Sequence, residues 1–342
     1  MRGLRIAHII IITDLQHLFA ALGFISQELL IMTMVSVVIS AHNASPWIAE
    51  TLESIFAQTF RDFELIVVDD GSTDDTRQVV ARYGPSVRLI TIGRSGKSTG
   101  KNTGIRAAKG DYIAFVDADD LWTPEKLELQ VELLRRQPDL AWAYADGYLF
   151  DDSTGKTVGR FGQIARLHSG NILRSLLLVD FIASPTPIVR RDILERVGCF
   201  DETLLRHQPE DWDLWLRIAA DYPVGLVNQP LVRYRLHAAS LTAREEPRSA
   251  LEGQVFVVER AVARHPECLG NLRNRAIANL YLGTGRVMAR NGNTAEAREM
   301  FAWAIRLAPY DLRHYGYWLA TFTGAGLGNL IAMRRWMRGP LL

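Results

Sequence analysis

Residues 35–70 read VSVVISAHNASPWIAETLESIFAQTFRDFELIVVDD, and this stretch decides the fold. Val35 to Ile39 is a β-branched run that reads as a buried parallel strand. Ser45 is placed to cap a helix, and Pro46 to take its first position, where the missing N–H costs nothing. Ile48, Leu52, Ile55 and Phe56 then recur at helical spacing, so one face of that helix packs on a sheet. Phe63 to Val68 is a second strand, stopped by Asp69-Asp70-Gly71-Ser72. Strand, helix and strand at this pace form a crossover unit, which is right-handed in nearly every known case.

The pattern continues outward. A helix from Asp74 or Asp75 to Tyr83 precedes a strand at Val87–Ile92, and a Gly/Ser/Lys loop leads to a short helix ending near Gly110. Tyr112 to Val116 is the fourth strand, and Thr123-Pro124 opens a helix that Pro138 closes. Residues 139 to 240 are less regular, with strands expected at Leu140–Leu149, Ile182–Val189 and Val224–Tyr234. Helices are expected there at Ile193–Val197 and Trp212–Ala220. The expected class is therefore α/β, a doubly wound, mixed and mainly parallel sheet.

From about Leu241 the β-branched runs stop and helical patterning takes over, so residues 241–342 read as an all-helical second domain after one spanning 35–240. Within it Gly285, Gly292, Ala297, Phe301, Ala304 and Pro309 fall at the small, aromatic and proline positions of a tetratricopeptide unit, over about 278–311. One helical hairpin docked on the first domain and a partner-binding array both fit that pattern. Residues 1–34 stand apart: apolar runs at Ile9–Ile12 and Leu18–Phe24 are broken by Asp14, Gln16, His17, Gln27 and Glu28. No clean span of the ~18 residues that crossing a bilayer needs is left there. A start site upstream of the true one near Met34, an extra docking helix and a targeting segment remain open readings.

Composition excludes several classes of function. Of 342 residues, 39 are Lys or Arg and 38 Asp or Glu, a net charge of +1, which gives no global attraction for a nucleic acid polymer. Forty-eight per cent hydrophobic and 23% charged residues are globular usage, not that of a disordered chain. Cys199 and Cys268 cannot build a disulfide framework or a four-ligand zinc site, so a reduced, cytoplasmic setting is expected. The tail from Leu327 to Leu342 sets Arg334, Arg335, Trp336 and Arg338 among apolar residues. Peripheral contact with an anionic membrane face and a plain basic surface helix both fit it.

In doubly wound sheets ligands bind beyond the carboxyl ends of the strands. Three polar clusters fall there: Ser40-Ala-His-Asn43, Asp69-Asp70-Gly-Ser72 and Asp117-Ala-Asp119-Asp120. Three carboxylates within four residues repel one another unless a cation neutralises them, and hard oxygens suit Mg²⁺ or Mn²⁺ gripping a diphosphate. A solvated turn, or Asp119 or Asp120 capping the helix near Thr123, is the other reading. Gly93-Arg-Ser-Gly96-Lys97-Ser98 has the wrong glycine spacing for a P-loop, and no G-x-G-x-x-G follows the first strand. Trp122, Trp212 and Trp215 are candidates to stack on a sugar, although Trp215 fits a buried helix stripe better.

Residues 35–76, continuing the opening stretch through GSTDDT, with GKNTGIRAAKGDYIAFVDADDLWTPEKL at 100–127, are similar to family 2 glycosyltransferases of the GT-A fold. The resemblance is strong over about 35–150 and thinner to about 240. It implies that Ser40 and Asp70 surround the nucleotide base, Asp117 lies toward the ribose, and Asp119 binds the metal. Lys101 stands where the family usually carries Arg; a point charge can still neutralise phosphate but lacks the bidentate fork. Asp211, in Pro-Glu-Asp-Trp-Asp, matches the family's catalytic base, and His237 lies in the closing segment near the diphosphate. The first turn of its helix is expected to keep Asp211 ionised.

The function so implied is inverting transfer of a sugar from a nucleotide-sugar, a UDP-sugar being the donor expected, to a carbohydrate or lipid-linked acceptor. A catalytically silent interaction protein working through the helical tail is the alternative from another class.

Overall fold

The computed structural model describes residues 34–205 and 207–322. β1 (Val35–Ala41), β2 (Phe63–Asp70), β3 (Arg88–Ile92) and β4 (Tyr112–Asp117) form a parallel half-sheet in the order β3-β2-β1-β4. β1 and β4 are central, which explains why their residues are almost uniformly apolar: both faces are covered. The crossovers carry α1 (Ile48–Phe56), α2 (Thr76–Ala81) and α3 (Lys97–Ala107). Ile48, Leu52 and Ile55 of α1 are fully buried against Val35, Val37 and Ile39, as their spacing requires.

Beyond β4 the sheet continues as β8-β6-β9-β5, with β5 (Leu121–Trp122), β6 (Trp142–Asp151), β8 (Ile188–Arg190) and β9 (Val224–Leu236). β7 (Thr157–Arg160) folds back on β6 as a hairpin. β4/β8, β8/β6 and β9/β5 are antiparallel and β6/β9 parallel, so the sheet is mixed but most strands share one direction. Along this half lie α4 (Lys126–Arg136), α5 (Leu173–Leu178), α6 (Arg191–Val197) and α7 (Glu210–Asp221).

Several expected boundaries move. α1 begins at Ile48, not at Pro46, because Ala44 C=O accepts from Trp47 and Ile48 N–H; Ser45 N–H instead donates to Asp74. Thr123-Pro124 likewise forms a turn before α4, whose Leu127 N–H is taken by the Gln58 side chain. Of the strand expected at Ile182–Val189 only Ile188–Arg190 is extended; the turn around Pro185 and Pro187 bends the chain before it can pair. α2 stops at Ala81, and the helix after the Gly/Ser/Lys loop is longer than expected, starting at Lys97. β5, β7 and α5 carried no alternation that announced them.

After a single helical turn at Leu241–Arg244 come α8 (Pro247–Arg264), α9 (Arg273–Arg290), α10 (Thr294–Leu307) and α11 (Leu312–Ala320). Val257, Val258, Ala261, Ala276 and Ile277 join one core with Phe115, Trp142 and Trp215 of the sheet region. The repeat signature resolves into the α9–α10 hairpin. Gly292, at φ 87°, makes its turn, and Gly285 lets Phe301 approach so closely that a Cβ there would lie 2.6 Å from the ring. No described helix is long and apolar enough to cross a membrane. The readings of residues 1–33 and of the Leu327–Leu342 tail fall outside the described residues.

Candidate active site

Four strand ends and two helix starts build one cleft. β1 ends at Ser40-Ala41 and β2 at Asp69-Asp70, β4 delivers Asp117, and β9 runs on to His237. α3 crosses this edge closely enough that a side chain at Gly100 would collide with Ser40 Oγ. That glycine therefore sets the approach of α3, and with it the position of Lys97 and Lys101.

Lys101 is the hub. Its Nζ lies 3.1 Å from Glu210 Oε1, 2.9 Å from Ser184 Oγ and 3.7 Å from Asp117 Oδ1. Burial alone would lower the pKa of this ammonium, but Asp117, Glu210 and Asp211 reverse the effect and hold it above the usual lysine range. Lys97 reaches the other oxygen of Glu210 at 2.5 Å. Buried Glu210 would be pushed up by desolvation, yet the two ammonium groups keep it below its ordinary value. The lysine in the arginine position thus ties the Asp117 motif to the Glu210-Asp211 motif as a point charge, with three acceptors arranged around it.

Asp211 accepts from its own Trp212 N–H through Oδ1. Its carboxyl is raised above the ordinary range, first by burial and then by Glu210, with Lys101 and Lys97 opposing. Asp211 lies in the first turn of α7, where the macrodipole favours a carboxylate, and burial with the adjacent negative charge of Glu210 acts against that effect. Asp180, on the loop after α5, keeps an exposed face, and desolvation by the protein around its carboxyl, with Asp211, raises it above the usual range. No motif pointed to Asp180, and only its place beside Ser184 on this loop signals it in retrospect.

At the other end, Asp119 Oδ2 lies 2.9 Å from His237 Nε2. Arg235 donates through Nε to Asp119 C=O at 2.7 Å and through its backbone N–H to Asp120 Oδ1 at 2.8 Å. Asp120 is buried, its Oδ2 has no hydrogen-bond partner, and burial with Asp119 and Asp117 lifts its carboxyl well above the usual range. Asp117, a third of whose side chain is open to the cleft, is raised for related reasons, burial first and Lys101 opposing. Among the described residues no three His, Cys, Asp or Glu side chains converge as a ready metal cage. A hard divalent cation still fits: such ions bind through one or two carboxylates plus substrate phosphates, and the crowded carboxylates gain from one.

Asp70 is placed differently from the rest. Its carboxylate takes an ion pair from Arg94 and the N–H groups of Ser95 at 2.6 Å and Gly96 at 3.0 Å, so it shapes the loop that launches α3. Gly96 holds φ 98° there. The three tryptophans considered for sugar stacking are core residues: Trp122, Trp212 and Trp215 are all less than 5% exposed, and the indoles of Trp122 and Trp212 bond to Pro185 and Leu176 carbonyls.

The mixed, mainly parallel sheet followed by a helical region is of GT-A type. Solved structures agree in fold: S. aureus TarS residues 1–349 in complex with UDP-GlcNAc has a TM-score of 0.58 at 17% identity, covering 84% of this chain and 89% of that one. A mannosyltransferase, PcManGT from Pyrobaculum calidifontis, in complex with GDP-Man and Mn²⁺, gives 0.57 at 23% identity, covering 88% and 82%. The profile of glycosyl transferase family 2 matches residues 36–198. The Escherichia coli UDP-Glc:alpha-D-GlcNAc-diphosphoundecaprenol beta-1,3-glucosyltransferase WfaP is 32% identical over 219 residues, 63% of this chain and 82% of that protein. The chain belongs to glycosyl transferase family 2. It spans 35% of a related glycosyltransferase of Rickettsia felis and 66% of one of Rickettsia prowazekii, each 28% identical.

Proposed function

We propose that this chain transfers a sugar from a nucleoside diphosphate sugar to an acceptor hydroxyl, with inversion at the anomeric carbon. The observation that carries the reading is Lys101, which bridges Asp117 on the donor side to Glu210, the neighbour of Asp211, on the other. A silent scaffold has no use for a buried lysine and a second, partly exposed one gathered on that acid pair.

In this reading Ser40 and Asp117 face the nucleoside, and Asp119 with His237 faces the diphosphate. Asp70 contributes by holding the Arg94–Gly96 loop around the base. Asp211 takes the proton of the acceptor hydroxyl. The acceptor oxygen then bonds to the anomeric carbon as the bond from that carbon to the diphosphate oxygen breaks, and the nucleoside diphosphate leaves with the electron pair. One in-line displacement with one base inverts the centre. Mg²⁺ or Mn²⁺ held on Asp119 would supply charge neutralisation of the departing diphosphate. A carboxyl raised by burial suits a general base, because the best catalytic pKa lies near the working pH.

A UDP-sugar donor and a carbohydrate or lipid-linked acceptor remain the preferred substrates, supported by the substrate in the name of the Escherichia coli relative. The test is metal-dependent hydrolysis and transfer across a panel of UDP-, GDP- and other nucleotide-sugars. At least one sugar should be released or transferred in Mn²⁺ or Mg²⁺, and Asp119→Ala should abolish the dependence. Wild-type protein inert to the whole panel, or full transfer by both Asp119→Ala and Asp211→Asn, overturns it.

A further inference from the structure

Asp119 sits inside a closed ring of side chains that the cleft itself does not explain. Its Oδ2 meets His237 Nε2, and the Trp47 indole covers the His237 imidazole, with ring centroids 3.9 Å apart. Trp47 Nε1 donates to Asp152 Oδ2 at 3.2 Å, and the other oxygen of Asp152 accepts from Arg235 Nη1 at 2.7 Å. Arg235 completes the ring by donating through Nε to Asp119 C=O. Its remaining Nη2 is anchored on Glu50 at 2.6 Å.

Four separate segments contribute: the turn before α1, the residue after β6, the end of β9 and the loop after β4. The ring grips Asp119 twice, at its carboxylate through His237 and at its main chain through Arg235. Asp152 joins the two grips. Without it, Arg235 would keep one carboxylate partner instead of two, and the indole above His237 would lose the bond that fixes its tilt.

We propose that Asp152 and Trp47 are positioning residues for the cation-binding carboxylate: they hold the Asp119–His237 pair in the orientation that receives a metal-bound diphosphate. This rests on the donor-site reading above. Groups that orient a metal ligand from behind typically change metal affinity by 10–100-fold when removed. Both residues are partly exposed, so conservative substitutions are expected to fold.

The experiment is calorimetric titration of UDP, and in parallel GDP, into Asp152→Asn and Trp47→Phe, with saturating Mn²⁺ and with EDTA. Trp47→Phe keeps one aromatic ring over His237 while removing the N–H together with the second ring of the indole. The expected result is a roughly tenfold weaker nucleotide affinity in Mn²⁺, unchanged affinity in EDTA, and a raised half-saturating Mn²⁺ concentration. Melting temperatures should stay near wild type. Equal losses with and without Mn²⁺ would mean that the ring merely holds the fold, and unchanged affinity would mean that it is inert; either overturns the inference alone. A wild-type protein whose binding of both nucleotides ignores Mn²⁺ overturns the donor-site reading, and the inference with it.

Discussion

Two pairs of adjacent acids flank the cleft, Asp119-Asp120 and Glu210-Asp211, and they are neutralised in opposite ways. In each pair one carboxylate is buried behind the other. Glu210 meets two ammonium groups of this chain, Lys97 and Lys101, and stays ionised. Asp120 meets one backbone N–H, while the nearest guanidinium, that of Arg235, is committed to Asp152, Glu50 and Asp119 C=O. The counter-charge is thus built in on one side and left to an added cation on the other. That difference supports the proposal that puts the metal and the diphosphate at Asp119 and the acceptor's proton at Asp211.

The sharpest way to break this comparison is at the catalytic pair. Asp211→Asn removes the base but little charge balance, since Glu210 keeps both lysines. The expected result is a loss of about 10²–10⁴ in kcat, with nucleotide binding and melting temperature near wild type. A variant that retains a tenth or more of wild-type kcat would move the base elsewhere, with Asp180 the first candidate. Next in size is Glu210→Gln, which strands Lys101 without its buried carboxylate. Breaking a buried pair from one side costs about 3–5 kcal/mol, with the lower figure expected because Lys97 is partly exposed and Asp117 remains near Lys101. Thermal or urea unfolding reads this directly, and a loss under about 1 kcal/mol would show that the pair is not buried in solution.

A pH profile separates the two residues of that pair. With Asp211 as the proposed base, transfer needs it ionised, so kcat should rise with pH through its raised pKa and then level off. Lys101 and Lys97 oppose the rise in that pKa. Lys101→Gln should therefore push the acid limb of kcat upward, by about one pH unit. Stability moves in another window. Glu210 is depressed in the folded protein, so its contribution is present above the ordinary glutamate value of about 4.5 and is lost as pH falls through its lower folded value. An acid limb that stays fixed in Lys101→Gln would remove Asp211 from the titration.

The regular half of this fold was legible because each crossover repeats a simple code. Strands buried on both faces need nearly continuous apolar runs, and Val35–Ile39, interrupted only by Ser36, and Tyr112–Val116 supply them. The DADD cluster stood out as three carboxylates at one strand end, whereas Asp211 was read through the family resemblance, because an acid in a first helical turn by itself only complements the macrodipole. Less legible was everything fixed by distant partners. Ser45 and Thr123 look like caps, but the N–H groups they were expected to satisfy or precede are taken by Ala44 C=O and Gln58 instead. Ile182–Val189 reads as a strand by composition, yet Pro185 and Pro187 make it the loop that carries Ser184 to Lys101. Asp152, Trp47 and Arg235 belong to no local pattern; only the pairing of β6 with β9 brings Asp152 and Arg235 side by side. Lys97 was read only against a phosphate-loop template, which hid its use as a second cation for Glu210.

The smallest effect, and the most direct test of the contrast, is Asp120→Asn set beside Glu210→Gln. The same change of acid to amide should act in opposite directions at the two sites. Asn keeps an oxygen to accept from Arg235 N–H, and it removes a buried carboxyl whose Oδ2 has no partner and whose neighbours are negative. In EDTA the variant should melt at or slightly above wild type, within about 1 kcal/mol. In Mn²⁺ the order should reverse, because wild type keeps one more negative charge beside the cation proposed to sit on Asp119 than the variant does. A ligand that binds only the folded state raises stability by RT ln(1 + [L]/Kd), so the Mn²⁺-induced melting shift measures the change in affinity. A shift as large in Asp120→Asn as in wild type would show that Asp120's charge takes no part. Destabilisation in EDTA as severe as that of Glu210→Gln would erase the difference between the two acid pairs.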